Sequence, residues 1–273
     1  MKAIYNSRIL PEEEIDLHIR NRAFCYGDGL FETIVTGPDR INLLALHIAR
    51  LSKACAVLNL VIPFNQQELE EQIDQLKTAN ELTGQLRILI QVWREEGGLY
   101  QPSENQSAYL ITIAKSNSPF YSGIERLSVS AQAKLNWHAL SFAKTMSALP
   151  YVLAGVERGQ RSSDDLIICD GQGNIAECVA SNIFWVKDKE VYTPDLNSGC
   201  VNGTMRQHLI SQLKVADLQV HEVMQSPEQL HAADHVFLSN TSGIQWVQQF
   251  EDKTLYSDPK DLLALAAILP PQL

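Results

Sequence analysis

Apolar residues along this chain alternate between helix-length and strand-length patterns, and this alternation constrains the fold more than any other feature. Two consecutive segments, 44–58 and 69–76, carry apolar residues at the three- and four-residue spacing of an amphipathic helix. Strand-length apolar runs rich in β-branched or aromatic residues occur at 31–35, 86–93 and 108–114. The first half of the chain is therefore predicted to be a mixed α/β domain.

A polar segment separates this half from the next, because Ser, Asn, Pro and Gly accumulate at 115–123 between two apolar runs. We predict an N-terminal α/β domain at 1–115, a linker at 116–123 and a C-terminal α/β domain at 124–273, so the fold class is α/β or α+β with two domains. In the second half, the predicted helices cover 147–158, 205–213 and 227–232, and the predicted strands cover 127–131, 165–170, 177–186, 191–193 and 235–239. Turns are predicted at 37–40 and 170–174.

Charge and hydropathy narrow the classes of function. The formal net charge of -10 argues against nucleic-acid binding, because phosphates require a basic protein face. Arginines in such an acidic chain become candidates for binding small anions. No apolar run approaches the roughly 18 residues of a membrane span, and the first residues lack the apolar core of a signal peptide. We therefore expect a cytoplasmic protein with no membrane partner.

The cysteines do not suggest a metal or disulfide protein. The five residues, Cys25, Cys55, Cys169, Cys178 and Cys200, are scattered and form no C-x-x-C pair. This spacing argues against a zinc site and against a disulfide framework. Buried thiols are predicted instead.

Lys144 and Glu177 carry the main indication of function. Lys144 stands in Ser141-Phe-Ala-Lys-Thr-Met-Ser147, and Glu177 follows in Asn174-Ile-Ala-Glu-Cys. A lysine amine forms a Schiff base with an aldehyde cofactor once its site favours the neutral amine. A carboxylate beside a pyridine nitrogen keeps that nitrogen protonated, so that the ring can accept electrons. Each residue alone is more simply explained as a surface lysine or as a glutamate near a turn, but together they suggest pyridoxal 5'-phosphate (PLP).

A phosphate-bearing cofactor also needs an anion site, and the chain offers three places. Residues 201–207 lead from a loop into a helix, where backbone N–H groups and the helix dipole favour an anion. Residues 239–243 lie at the end of an apolar strand, where Thr241 can donate its hydroxyl. Arg50, one helical turn after His47, would supply a fixed positive charge. A capped helix, a turn and a solvated helix face are the alternative explanations.

Seven motifs, taken in order, resemble the fold-type IV PLP enzymes. This family, also called the class IV aminotransferases, includes branched-chain aminotransferase, D-amino acid aminotransferase (transaminase) and aminodeoxychorismate lyase. The motifs are Tyr26-Gly-Asp-Gly-Leu-Phe-Glu-Thr33, His47-Ile-Ala-Arg-Leu51, Lys144, Glu177-Cys-Val-Ala-Ser-Asn-Ile-Phe-Trp185, Tyr192-Thr-Pro194, Asn202-Gly-Thr-Met-Arg206 and Ser239-Asn-Thr241. Each motif is weak alone, but the seven in this order cover nearly the whole chain.

The resemblance implies a role for each matching residue. Lys144 would be the Schiff-base lysine and the acid and base of catalysis, and Glu177 would be the partner of the pyridine nitrogen. The phosphate would be bound by the following set: Arg50, the backbone of Thr204 and Met205, and Asn240 with Thr241. Most aminotransferase relatives have a hydroxyl residue in place of Met205, so only its backbone N–H is expected to bind. The family fold has two α/β domains with the cofactor in the interdomain cleft, usually as a homodimer whose partner loops help to close the site.

The resemblance leaves two reactions open. Branched-chain aminotransferases generally have a Tyr five residues after the lysine, where this chain has Leu149. The best-known D-amino acid enzymes bind the substrate carboxylate with an Arg and a His in the loop that corresponds to residues 94–102, and this loop lacks that pair. Aminodeoxychorismate lyase matches best over 177–207, but these residues mostly support the cofactor. We predict a transaminase for a small amino acid, D-amino acids included, and a 2-oxo acid. The alternative is the lyase, which produces 4-aminobenzoate and pyruvate.

Every candidate substrate carries a carboxylate, which favours an arginine in the site. Arg87 and Arg94 lie near the two ends of one predicted strand, and their odd spacing sends the side chains to opposite faces. We predict Arg94 as the substrate-binding residue because it adjoins a double-glycine loop, with Arg22 and Arg87 as alternatives. Phe31 is predicted as a further substrate contact. An arginine on the outer surface is the alternative explanation for each of the three.

Overall fold

The computed structural model describes residues 1–37 and 42–255, which form two compact units. The first unit contains Met1–Asn117 and Ala143–Ser147, and the second contains Ser118–Phe142 and the described chain after residue 147. Most of the predicted turn at 37–40, and residues 256–273 of the predicted second domain, lie outside the described residues.

The first unit is built on an antiparallel sheet. Its described strands are β1 (Lys2–Tyr5), β2 (Arg8–Pro11), β3 (Gly29–Val35), β4 (Leu86–Arg94) and β5 (Ser107–Lys115), in the spatial order β2-β1-β5-β4-β3. Its helices are α1 (Arg22–Tyr26), α2 (Leu44–Val57) and α3 (Gln66–Ala79), with a 3-10 turn at Glu12–Glu14. Helix α2 packs on β3, and α3 packs on β1 and β5. The apolar positions that predicted α3 are the ones it buries, which are Leu69, Ile73 and Leu76.

The second unit is built on a mixed sheet. Its described strands are β6 (Tyr121–Leu135), β7 (Asp165–Asp170), β8 (Ile175–Cys178), β9 (Asn182–Lys187), β10 (Glu190–Pro194), β11 (Val220–Val223), β12 (His235–Asn240), β13 (Gly243–Phe250) and β14 (Lys253–Thr254). The order along the sheet is β11-β10-β9-β12-β13-β6-β7-β8, and β14 pairs with β13. The helices are α4 (Leu149–Gln160) and α5 (Thr204–Val215), with 3-10 helices at Leu196–Ser198 and Pro227–Ala232.

Several predicted boundaries differ from the structure. The predicted linker extends too far, because residues 121–123 already belong to β6 and pair with β13. The predicted strand 177–186 is two strands, β8 and β9, because the chain turns at 179–181, where Cys178 N–H donates to the Ser181 carbonyl oxygen (2.8 Å). The predicted helix at 227–232 is a 3-10 helix. Lys144, assigned to the second domain by the sequence, lies in the first unit.

Among the described residues, no helix combines the length and apolarity that crossing a bilayer requires. The cysteines are unpaired thiols, and all of them except Cys25 are buried. The prediction of buried thiols is therefore confirmed for four of the five residues.

Candidate active site

Lys144 is fixed by backbone hydrogen bonds to β3. The Phe31 N–H donates to the Lys144 carbonyl oxygen (2.9 Å), and the Met146 N–H donates to the Gly29 carbonyl oxygen (2.9 Å). Gly29 permits this approach, since a Cβ there would lie 2.6 Å from the Met146 sulfur. The half-buried Lys144 side chain extends so that Nζ lies 5.2 Å from the centre of the Phe31 ring. The predicted substrate contact and the predicted catalytic amine are therefore neighbours.

A buried ionic cluster lies between β3 and α2. Glu32 accepts two hydrogen bonds from Arg50, from Nε (2.8 Å) and from Nη2, and a third from His47 Nδ1 (2.7 Å). Burial alone would raise the pKa of Glu32, but the charge of Arg50 and the hydrogen bonds from both partners lower it. Burial lowers the pKa of His47, and the charges of Arg50 and Lys144 add to this effect against the opposing influence of Glu32. His47 is therefore a neutral donor to an ionised carboxylate, and the guanidinium of Arg50 is held in a fixed orientation.

Glu177 is held in the second unit by three donors. The Tyr151 hydroxyl and the Val201 N–H donate to Oε1 at 2.5 and 3.1 Å, and Asn182 Nδ2 donates to Oε2 at 3.2 Å. The chain turn between β8 and β9 brings Asn182 back to Glu177, five residues away. Hydrogen bonds donated to a carboxylate stabilise its charged form. Glu177 is thus a buried carboxylate whose hydrogen bonds favour its ionised form.

The start of α5 presents backbone N–H groups without a side-chain cap. Gly203 is the N-cap residue, and it cannot cap the first turn with a side chain. A Cβ there would lie 2.0 Å from Asn182 Oδ1, so a larger residue would displace the Asn182 side chain. Thr204 and Met205, the two predicted phosphate-binding residues of this turn, are buried. An uncapped helix N-terminus of this kind favours an anion.

The end of β12 lies beside the same groups. Ser239 is opposite Asn182 across the β9 and β12 pair, and its buried hydroxyl has no hydrogen-bond partner among the described residues. The Asn240 side chain instead stabilises its own turn, donating to Ser181 Oγ (3.0 Å) and accepting from the Ser242 N–H (2.8 Å). Within the described part of the chain, the Thr241 hydroxyl makes no hydrogen bond. Of the predicted pair, Thr241 has the hydroxyl that a ligand could use, whereas the Asn240 amide is engaged.

Arg94 and Arg22, the predicted substrate-binding arginines, are both buried around one carboxylate. Their Nε groups donate to Asp28 Oδ2 at 3.0 and 2.8 Å. Arg94 further donates to Asn105 Oδ1 and to the carbonyl oxygens of Leu58 and Glu104. Arg22 Nη1 donates to the carbonyl oxygens of Gly97, Gly98 and Leu99. Arg87 is exposed on β4. The guanidinium groups of Arg22 and Arg94 are thus engaged in fixing the 95–106 loop, and the substrate role of either residue stays a prediction.

Three polar residues that the sequence did not assign to the site form hydrogen bonds with predicted site residues. Glu32 stands in an otherwise mostly apolar strand. An acid in such a strand is expected to pair with a cation, and the next predicted helix carries a His and an Arg, so the sequence could have predicted this ionic cluster. Asn182 begins a strand in a quoted motif, but its bond to Glu177 depends on the break between β8 and β9. Tyr151 gave no signal, since nothing local links it to Glu177.

Comparison with known proteins identifies the family of this chain. A family model described as amino-transferase class IV matches residues 29–250. The chain belongs to the class IV aminotransferase family. Enzymes of this family use PLP, so PLP is the cofactor, and the expectations of a PLP-dependent transaminase and of a mixed α/β fold are confirmed.

Curated relatives and solved structures extend the match over nearly the whole chain. D-alanine aminotransferase of Listeria monocytogenes serotype 1/2a (strain 10403S) is 26% identical over 254 residues, covering 89% of this chain and 84% of the relative. A probable branched-chain-amino-acid aminotransferase of Rickettsia conorii is 26% identical over 272 residues, covering 93% and 90%. The branched-chain aminotransferase of Thermoproteus uzoniensis superposes with a TM-score of 0.88 at 23% identity, covering 98% and 93%.

The residues present fit this cofactor chemically. The lysine amine, the buried carboxylate with three donors and the uncapped helix start are the groups that an aldehyde, a pyridinium and a phosphate require. The buried Ser239 hydroxyl without a partner among the described residues adds a polar atom beside the helix start and the Glu177 cluster.

Proposed function

We propose that this class IV enzyme transfers an amino group between a small amino acid and a 2-oxo acid, with Lys144 carrying PLP covalently. The observation that supports the proposal most directly is the Glu177 carboxylate, buried and held by three donated hydrogen bonds. Bound PLP supplies an aldehyde that condenses with amines and a protonated ring that withdraws electrons. The protein then has to hold the ring nitrogen protonated and to move one proton.

Lys144 is proposed to move that proton. Its Nζ would take the proton from the Cα of the bound amino acid and deliver it to the cofactor carbon that carried the aldehyde oxygen. The Phe31 ring, 5.2 Å from Nζ, is proposed to border the substrate. The charge of Lys144 lowers the pKa of His47, so His47 is neutral and adds no positive charge near the Lys144 amine.

Phosphate binding is proposed to involve groups from three segments. Arg50 would supply the positive charge, the backbone N–H groups of Thr204 and Met205 would supply the helix start, and Thr241 would supply a hydroxyl. Asn240 would contribute by shaping the turn that presents Thr241, since its side chain bonds to Ser181 and Ser242.

The substrate is proposed to be a small amino acid, as for the D-alanine aminotransferase relatives, or a branched-chain amino acid, as the Rickettsia relative is named. These relatives are aminotransferases, which favours amino transfer over the lyase alternative. Because Arg22 and Arg94 are engaged with Asp28, we propose that they fix the 95–106 loop instead of binding the substrate carboxylate.

A homodimer is also proposed. The first unit exposes large apolar side chains on α1, on the segment before it and on the loop tip held by Arg22. These residues are Ile19, Phe24, Leu99 and Tyr100, with exposures of 80, 86, 73 and 90%. Exposed large apolar side chains close together are typical of a protein interface, and a second copy is the partner most consistent with the family. The cytoplasmic location stays a prediction.

The test is a paired-substrate assay on purified protein reconstituted with PLP. Each of D-alanine, L-alanine, D-leucine and L-leucine is offered with 2-oxoglutarate, and both the new keto acid and the glutamate formed are quantified. Equal amounts of the two products from one enantiomer support the proposal, and Lys144→Ala is the control for chemistry on free PLP. Binding of PLP with no amino transfer from any donor would contradict the proposed reaction.

A further inference from the structure

Tyr151 makes the shortest of the three hydrogen bonds described for Glu177. Its hydroxyl lies 2.5 Å from Oε1, within the range of a hydrogen bond between a hydroxyl and a charged oxygen. The ring packs against a buried apolar cluster of Ala133, Leu135, Ala154, Ile168, Ala176 and Cys200. The phenol is thus held from both ends, by packing on its ring and by a carboxylate on its oxygen.

The proton of this pair stays on the tyrosine. Burial and the charge of Glu177 both raise the pKa of Tyr151 far above its usual range. The hydroxyl is therefore protonated at neutral pH and donates to Glu177. An ionised Glu177 carboxylate can only accept hydrogen bonds, and the protonated Tyr151 hydroxyl is available to donate one.

The same carboxylate is connected to the start of α5. Val201 N–H donates to Glu177 Oε1 (3.1 Å), and the Val201 carbonyl oxygen accepts from Asn182 Nδ2 (2.8 Å), which also donates to Glu177. Gly203, two residues after Val201, is the N-cap of α5. A change in the orientation of Glu177 would therefore shift the backbone that leads to the proposed phosphate-binding turn.

Tyr151 is not a displaced copy of the tyrosine expected five residues after the lysine. That position is Leu149, whose side chain is 71% exposed at the start of α4. Two residues further along a helix is a rotation of about 200°, which places the ring of Tyr151 on the buried side. The Tyr151 hydroxyl consequently reaches the glutamate.

We propose that Tyr151 is a positioning residue that fixes the Glu177 carboxylate for the pyridine nitrogen of PLP. This inference rests on the proposed role of Glu177 in the function above. Tyr151 touches Glu177, so its effect on the cofactor passes through that carboxylate. Loss of the hydroxyl should weaken cofactor binding and alter the protonation of the ring while leaving the fold intact.

The experiment is a double-mutant cycle on PLP affinity, using Tyr151→Phe, Glu177→Gln and the double variant. The dissociation constant of PLP is measured on apoprotein by quenching of tryptophan fluorescence, and the absorbance of the bound cofactor is titrated with pH. We expect Tyr151→Phe to weaken PLP binding by about threefold to tenfold and to shift the pH titration, as for the loss of one buried hydrogen bond. In the Glu177→Gln background the same change should alter affinity by less than about twofold.

Tyr192→Phe is the matched control. Its hydroxyl also donates to a glutamate, Glu190 Oε2 at 2.8 Å, in the same unit, and neither residue is assigned to the site. It should leave the affinity and the pH titration unchanged. Equal losses from Tyr151→Phe in both backgrounds, or none in either, would overturn the proposal. So would a fall in the melting temperature of Tyr151→Phe apoprotein as large as that of Tyr151→Ala, because the hydroxyl would then serve folding.

These readouts separate the inference from the proposed reaction. A wild-type protein that binds PLP but transfers no amino group would contradict the reaction, and the affinity cycle would still measure the coupling of Tyr151 to Glu177. Coupling without transfer would support the positioning role alone. A wild-type protein that did not bind PLP would overturn both.

Discussion

Replacing Glu32 by glutamine should destabilise the protein more than any exposed ion pair could. The change removes a carboxylate that is 2% exposed and accepts three hydrogen bonds, two from Arg50 and one from His47. Glutamine has one acceptor oxygen in place of two and places an NH2 group against a donor. Breaking a buried ion pair by removing one partner costs about 3 to 5 kcal/mol. The melting temperature of the apoprotein should fall by roughly 6 to 20 °C.

The matched control is Glu96→Gln. Glu96 Oε1 lies 2.6 Å from His18 Nδ1, so this pair also joins a glutamate to a histidine, but the two side chains are 43 and 57% exposed. An exposed pair contributes about 0 to 1 kcal/mol, and its loss should shift the melting temperature by no more than about 4 °C.

Differential scanning calorimetry of the two apoproteins decides the comparison. Glu32→Asp is a third variant to compare. It keeps the charge but is one methylene shorter, so it should lose part of the pair of hydrogen bonds with Arg50 and show an intermediate melting temperature. The reasoning fails if Glu32→Gln and Glu96→Gln melt within about 2 °C of each other. The cluster between β3 and α2 would then contribute no net stability, and the fixed orientation of Arg50 would need another cause.

Three further outcomes are expected. Lys144→Ala should lose turnover by orders of magnitude and lack the borohydride-sensitive yellow band of wild type; full activity would contradict its role. Arg94→Leu should lower the melting temperature while leaving the Michaelis constant for the amino donor within about twofold, because Arg94 is engaged with Asp28, and a large rise would return it to the substrate site. Burial alone would raise the pKa of Glu157, but hydrogen bonds, the Ala131 N–H first among them, lower it to about 2. Its folded pKa is thus below the unfolded value near 4.3, so its stabilisation is complete above that pH and is lost as pH falls toward 2. Acid unfolding followed by circular dichroism should be less steep over this window in Glu157→Gln, and identical curves would show that the carboxylate contributes nothing.

Much of the fold was predictable because local patterns and packing agree. The apolar spacing that predicted α2 and α3 is the spacing of their buried faces, and the turn at Asp170 is stabilised by its own carboxylate, which accepts from Gln172 and Asn174 N–H groups at 2.8 Å. The short strands β1, β2 and β11 were missed, since four residues carry too little periodicity to distinguish a strand from a loop.

The sequence predicted a site residue only where the residue type and its motif were enough to assign a role. A lysine and a glutamate in matching motifs indicated PLP, and the family match agrees with that cofactor. The sequence could not show that Arg94 is bound to Asp28, because the two residues are 66 positions apart and their contact depends on the pairing of β3 with β4. Tyr151 was hidden for the same reason, since its partner is 26 positions away.

The position of Lys144 depends on strand β3, although the sequence predicted Lys144 to belong to the second domain. Residues 143–147 pair with the start of β3, although the chain on either side of them belongs to the second unit. The next residues of β3, Phe31 and Glu32, point to opposite faces, as successive residues of a strand do. Phe31 lies beside the Lys144 amine, and Glu32 holds Arg50 and His47 on α2. A substitution that shifted the pairing of β3 by one residue would exchange these two faces. It would separate Phe31 from Lys144 and Glu32 from Arg50 at once, so the register of β3 fixes two parts of the proposed site together.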